Sequence, residues 1–338
     1  MLARNEGSSA AFSPKAGITN SAKAAQLMRP NDSPELGALF DLSARTKLRL
    51  SGGDRLRYLN GQISNDLRKV SDDFAIHACV LNQKGKINAD VFIVADADSF
   101  LIDTEPGMSE QLTVRLDRYI IADDVQIEDV SEQFALFHVL GVEAPAAPDS
   151  LRTATVGRFG AAGTDLWFRS DQHDSALQEL AGRVAVCNEA RAETFRIERG
   201  LPRWGQELTE EIIPTEANLE TDAIDYAKGC YIGQEVISRI KMSGQTNKRL
   251  CGLVATTDAA LSAGMRLITT AGDGKDVGWI TSVTTSPRIG KQIALGFVKR
   301  GFQTVGTLLD ARTEGSSATS APRVQIALLP FQSEAEAD

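Results

Sequence analysis

The chain has 338 residues, 42% of them hydrophobic, and a formal net charge of −9. That length predicts about two domains with ample chain for a core. The acidic balance argues against a general nucleic-acid binder, which needs clustered Lys and Arg, and no apolar run approaches the roughly 20 residues of a membrane span.

Residues 1–33 are rich in Ala and Ser, carry Arg4, Lys15, Lys23 and Arg29, and have no apolar centre, so a secretory signal is not predicted. The composition suits a disordered tail of a cytoplasmic protein, with a mitochondrial transit peptide as the alternative. Order is expected from about Pro34. Thr46 to Ser51 alternates as a strand, with Leu48 and Leu50 on one face. Asp54 is a candidate N-cap for a helix carrying Leu56, Leu59 and Ile63, interrupted at Asn60-Gly61.

Phe74 to Leu81, Ile87 to Ala95 and Ser99 to Asp103 read as an antiparallel meander, with a turn at Asn82-Gln83-Lys84-Gly85-Lys86. Met108, Leu112, Leu116 and Tyr119 have helical spacing. Strands resume at Val125 to Ile127 and Phe134 to Leu140. Ala144 to Pro148 is a linker or insertion. A second αβ unit follows: strand Leu166 to Arg169, helix Ser175 to Leu180, strand Val184 to Val186. Glu189 to Arg199 is a helix stopped by Gly200-Leu201-Pro202. Beyond Lys248 the texture becomes short strands with glycine turns, at 250–255, 266–269, 277–284, 293–298 and 324–328, which predicts a barrel or sandwich.

Four cysteines (Cys79, Cys187, Cys230, Cys251) form no Cys-x-x-Cys pair, and three histidines are scattered. A structural zinc site is not predicted, and free thiols suit a reducing compartment. The densest constellation is Lys228-Gly229-Cys230-Tyr231-Ile232-Gly233-Gln234-Glu235, running on to Arg239. Lys228 and Arg239 are placed to stabilise a thiolate at Cys230. The other reading is a small buried thiol in a glycine-rich turn before a helix at 234–240.

This motif resembles the signature of the YgfZ family of folate-binding proteins, which is similar in fold to the T-protein, the aminomethyltransferase of the glycine cleavage system. Gly53 to Leu67, including Asn65-Asp66, resembles the opening of that fold, and Gly278-Trp279-Ile280-Thr281-Ser282 resembles its C-terminal barrel. The resemblance covers about residues 36 to 330. It implies an α+β folate-binding body, with antiparallel sheets and helices in three lobes around a central hole. The expected division is a tail at 1–35, the folate-binding body at 36–245, a β-barrel at 246–330 and an acidic tail at 331–338.

The resemblance also implies tetrahydrofolate as the cofactor and assigns roles to residues. Glu198, in Arg-Ile-Glu-Arg-Gly, matches a glutamate facing the pterin, whose two-donor edge a carboxylate can accept. Asp90 matches the strand that carries two adjacent aspartates in the transferases. Here the pair is Ala89-Asp90, which speaks against aminomethyl transfer. Asn65 either lines the folate pocket or, with Asp66, caps a turn. Tyr231 either stacks on the ligand or packs, and Gln234 is a further ligand candidate. Lys228, Arg239, Lys241, Lys248 and Arg249 make one basic cluster, fit for the folate tail, an acidic partner or RNA.

Two functions are carried forward. One is a tetrahydrofolate-binding accessory protein for iron–sulfur assembly, with Cys230 as redox thiol or transient ligand, partnered by assembly proteins and 4Fe–4S client enzymes. The other is a folate-dependent aminomethyltransferase or demethylase. A monomer without direct nucleic-acid contact is expected.

Overall fold

The computed structural model describes residues 37–147, 149–270, 274–313 and 321–332. The segment expected to be a tail at 1–35 and most of the acidic tail therefore lie outside the described residues.

The first lobe is a five-stranded sheet. Its strands are β2 (Thr46–Ser51), β3 (Ile76–Leu81), β4 (Ile87–Asp96), β5 (Ser99–Thr104) and β6 (Gln126–Asp129), in the order β3-β4-β5-β2-β6. Alternation decides its faces. Leu48, Leu50, Ile76, Ala78, Val80, Ala89 and Val91 turn to one side, where α1 (Arg55–Gln62) and α2 (Ser109–Asp117) cover them with Tyr58, Leu59, Leu112 and Leu116. Each buried leucine contributes roughly 2 kcal/mol. The expected interruption at Asn60-Gly61 does not occur, because α1 continues through Gly61 to Gln62. Asp54 stands at the N-cap but its side chain caps no helix amide; Oδ2 accepts from the Asp124 amide and Oδ1 pairs with Arg57 of α1 at 3.1 Å.

The second lobe joins β1 (Ala38–Asp41), β7 (Phe134–Leu140), β8 (Arg152–Val156) and β9 (Gly163–Arg169) in the order β1-β7-β9-β8, with α3 (His173–Ala181) packed on it. The expected strand at 184–186 is reduced to one bridge, Leu39 to Val186. α4 (Glu189–Arg199) runs from the second lobe towards the barrel. Asn188 caps it by accepting from the Arg191 amide, and Gly200 ends it at φ 72°.

The third lobe is a closed barrel of β10 (Lys248–Ala255), β11 (Arg266–Thr269), β12 (Asp276–Ser286), β13 (Lys291–Lys299), β14 (Leu308–Arg312) and β15 (Arg323–Ala327), in the order β10-β13-β12-β11-β14-β15. Closure leaves no unpaired edge. One hydrophobic cluster ties the lobes together. It takes Cys79, Leu81 and Ile87 from the first, Ile197 from α4, Tyr231 and Ile237 from around α5 (Gln234–Ser243), and Leu250, Phe297 and Phe331 from the barrel end. Phe331, the first residue of the expected acidic tail, is 2% exposed and belongs to this core.

Candidate functional site

A cavity of 1120 Å³ opens where the lobes meet. The first lobe gives it His77, Asp90 and Phe92; the loop after β8 gives Gly157 to Gly160; α4 gives Glu193 and Arg196; the segment after β15 gives Leu328 to Pro330. Its floor follows from the register of β3 on β4. Cys79 pairs with Asp90 and His77 with Phe92, so these four residues share the face opposite the α1–α2 core.

His77 Nε2 lies 2.5 Å from Asp90 Oδ1. The His77 ring stacks on Phe92 at 4.5 Å and 11°. The Arg158 guanidinium stands 4.2 Å from the centroid of the same Phe92 ring. Arg158 is held by Asp165, at 2.6 Å, and by Asp103, which also accepts from Arg45 at 2.6 Å. Burial is the largest influence and works to raise the Asp103 and Asp165 carboxyls, but Arg158, joined by Arg45 at Asp103 and by His138 at Asp165, outweighs it and keeps both below the usual carboxylate range. This cluster of two arginines and two aspartates, in which Arg45 Nη2 alone is buried without a partner, makes a wall behind the aromatic floor.

Asp90 is the expected site residue that lines the cavity. Ala89, where the transferase pattern has a second acid, is fully buried in the α1–α2 core. Glu198 is not among the cavity-lining residues. It is 2% exposed, accepts from Ser286 Oγ at 2.5 Å and lies 3.5 Å from Arg191. Five residues earlier is nearly the opposite side of a helix, and it is Glu193 that faces the cavity, paired with Arg196 at 2.5 Å and Arg203 at 3.0 Å. Burial raises the Glu193 carboxyl, and Arg196 and Arg203 bring it below its ordinary value.

Asn65 Nδ2 donates to the carbonyls of His77 and Asp222, and Asp66 accepts from the Arg68 amide, so both serve the turn. The motif loop is built around Lys228. Its Nζ donates to the carbonyls of Asn60, Ile63 and Asn65 at 2.7, 2.8 and 2.6 Å, using all three donors. Burial draws this ammonium down to about 8. The expected role of Lys228 as a thiolate partner gives way to this staple. Tyr231 is buried in the shared core, and Gln234 Nε2 reaches the Gly229 carbonyl at 3.5 Å. Cys230 is exposed, while Cys79, Cys187 and Cys251 are buried. Arg239 is exposed on α5. The basic cluster is largely spent: Lys248 pairs with Glu216, Arg249 with Glu220, and Lys241 sits over Tyr226.

Sequence reasoning missed His77, Phe92, Arg158 and Glu193. The signal for the first two was present, since alternation puts His77 opposite the face of Ile76, Ala78 and Val80. Arg158 lies in a loop, where no periodicity points to it.

Residues 34–160 match the GCVT N-terminal domain and residues 248–331 the glycine cleavage T-protein C-terminal barrel domain. The aminomethyltransferase of Shouchella clausii (strain KSM-K16) is 24% identical over 322 residues, 87% of this chain and 86% of that protein. That of Bacillus subtilis (strain 168) is 26% identical over 303 residues, 80% and 82% of the two. The crystal structure of the glycine cleavage system aminomethyltransferase T from Bartonella henselae superposes with a TM-score of 0.73, at 17% identity, covering 88% of this chain and 86% of that one. The chain has the glycine cleavage T-protein fold. Within the T-protein fold its N-terminal domain supplies the Asp90 floor and its barrel domain closes the cavity through Leu328 to Pro330. These relatives carry the aminomethyltransferase name; the narrower YgfZ assignment rests on the motif at 228–235. No helix among the described residues is long and apolar enough to cross a membrane.

Proposed function

We propose that the cavity carries out a tetrahydrofolate-dependent one-carbon transfer of the aminomethyltransferase kind. The observation that carries this reading is the side on which Asp90 lies. The objection from sequence was the loss of one of two adjacent acids. The position lost, Ala89, faces a hydrophobic core, and the cavity-facing carboxylate is retained. A cavity of 1120 Å³ has room for a ligand of folate size. Its flat His77–Phe92 floor beside the Asp90 and Glu193 carboxylates suits a planar ring with an edge of N–H donors. Tetrahydrofolate supplies amine nitrogens that accept the carbon; the chain's part is to orient the reactants, keep water out and hold the proton in transit.

The test is an assay of purified protein with tetrahydrofolate and an aminomethyl donor, whose carbon is already at the oxidation level of formaldehyde, following methylenetetrahydrofolate and released amine. Wild type is expected to turn over, and Asp90→Asn to lose about 100-fold or more in kcat while still binding folate by calorimetry. A wild type that neither binds folate nor transfers carbon from any such donor sinks the reading.

A second reading has one observation in its favour. Cys230 is the single exposed cysteine of the four, on a loop fixed by Lys228. As an accessory thiol for iron–sulfur assembly it needs partners, because a cluster normally takes four ligands. The relatives named above carry the aminomethyltransferase name instead. Cells lacking an endogenous YgfZ-type protein, given wild type or Cys230→Ser, separate the readings by the activity of a 4Fe–4S enzyme: rescue by wild type alone supports it, and no rescue by either removes it.

A further inference from the structure

We propose that His77 is the proton acceptor of this cavity, with Asp90 acting through it as its orienting carboxylate. This rests on the transfer reading above and names the group that moves the proton.

The His77 ring is fixed in two ways. Stacking on Phe92 at 11° sets its plane, and the 2.5 Å bond to Asp90 Oδ1 sets its rotation within that plane. An ionised carboxylate only accepts hydrogen bonds. The proton between them therefore sits on His77 Nε2, and Nδ1 is left with its lone pair. Among the described residues nothing bonds to Nδ1, and it is not among the sealed, unsatisfied buried atoms. His77 lines the cavity wall. This is the arrangement of an imidazole base held in one tautomer by a carboxylate. His138 makes the contrast. It is also bonded to an aspartate, Asp165, but it is fully buried and is not among the residues lining this cavity.

Each bond exchange in the transfer then balances at His77. An acceptor amine nitrogen forms a bond to the carbon. The carbon's bond to its former partner breaks, with the electron pair leaving on that partner. The proton lost by the attacking N–H passes to His77 Nδ1 and then to the departing group, so the imidazole ends as it began.

Two measurements test this. The chain has three histidines, so long-range ¹H–¹⁵N spectra of histidine-labelled full-length protein can assign the His77 tautomer against His77→Gln. The expected spectrum is Nε2–H, with that preference lost in Asp90→Ala. In the transfer assay, His77→Gln is expected to drop kcat at least 100-fold, with KM nearly unchanged. An Nδ1–H tautomer, or an active wild type matched by His77→Gln, overturns the assignment alone. A wild type that transfers no carbon overturns the transfer reading and this assignment with it.

Discussion

Cys230 and Lys228 lie two residues apart and have opposite fates. Lys228 spends its three donors on carbonyls of the α1 end, whereas Cys230 is left at the surface. Burial pushes the Cys187 and Cys251 thiols up to about 11 and Cys79 well above its usual value, so these three resist alkylation. A brief iodoacetamide pulse on native protein is expected to add one adduct, at Cys230, by peptide mass spectrometry; labelling at any of the other three contradicts the described packing. Asp66 gives a pH dependence at the same scale. The Arg68 guanidinium bonds its carboxylate and holds it down to about 2. A carboxyl lowered on folding stabilises the protein above the ordinary value near 4, and that contribution fades as pH falls through 2. The loss of stability between pH 5 and pH 2.5, read by urea denaturation, should be smaller in Asp66→Asn than in wild type.

At the scale of elements, the motif loop is locked to the β3–β4 turn. Gly233, the residue before α5, has φ 88°, and a Cβ there would stand 2.7 Å from the Asn82 carbonyl oxygen. Gly85, in the facing turn, has φ 73° and leaves room for Val236. Two backbones approach through these two glycines, so neither tolerates a side chain. Gly233→Ala should cost about 1–3 kcal/mol. Thermal unfolding measures this, with Gly244→Ala as control, since that glycine has a similar φ of 63° and nothing within 4 Å. Equal losses in the two variants would place the cost in the backbone angle alone and not in the contact. The strand β4 shows the same economy: its alternation gives Ala89 to the core and Asp90 to the cavity.

For the whole molecule, the barrel and body are joined by a buried carboxylate. Glu207, fully buried, accepts from Arg196 at 2.9 Å, Thr281 Oγ1 at 2.7 Å, Ser282 Oγ at 2.6 Å and the Arg203 amide at 3.1 Å. Breaking such a pair leaves Arg196 buried with less compensation, at about 3–5 kcal/mol. Glu207→Ala should lower the urea midpoint by that measure, and the single transition expected from the shared core should split as the barrel separates; a midpoint within error of wild type would show the lobes to be held by other contacts. Much of this architecture was legible in the chain itself. Period-2 and period-3.6 patterns depend on neighbours a few residues away, so β2, β7, α4 and the run of barrel strands could be read directly, and the motifs pointed to the T-protein fold. The strands β1, β8 and β14 escaped because short segments with weak alternation are decided by pairing. The site escaped in part for the same reason. Asp90 was found from its motif, but its partner His77, the Phe92 floor, the Arg158 wall and the turning of Glu198 away from the cavity depend on register and on loops brought together from distant parts of the chain. Local composition fixes which residues can be buried; only the packing of three lobes decides which of the polar ones face a common space.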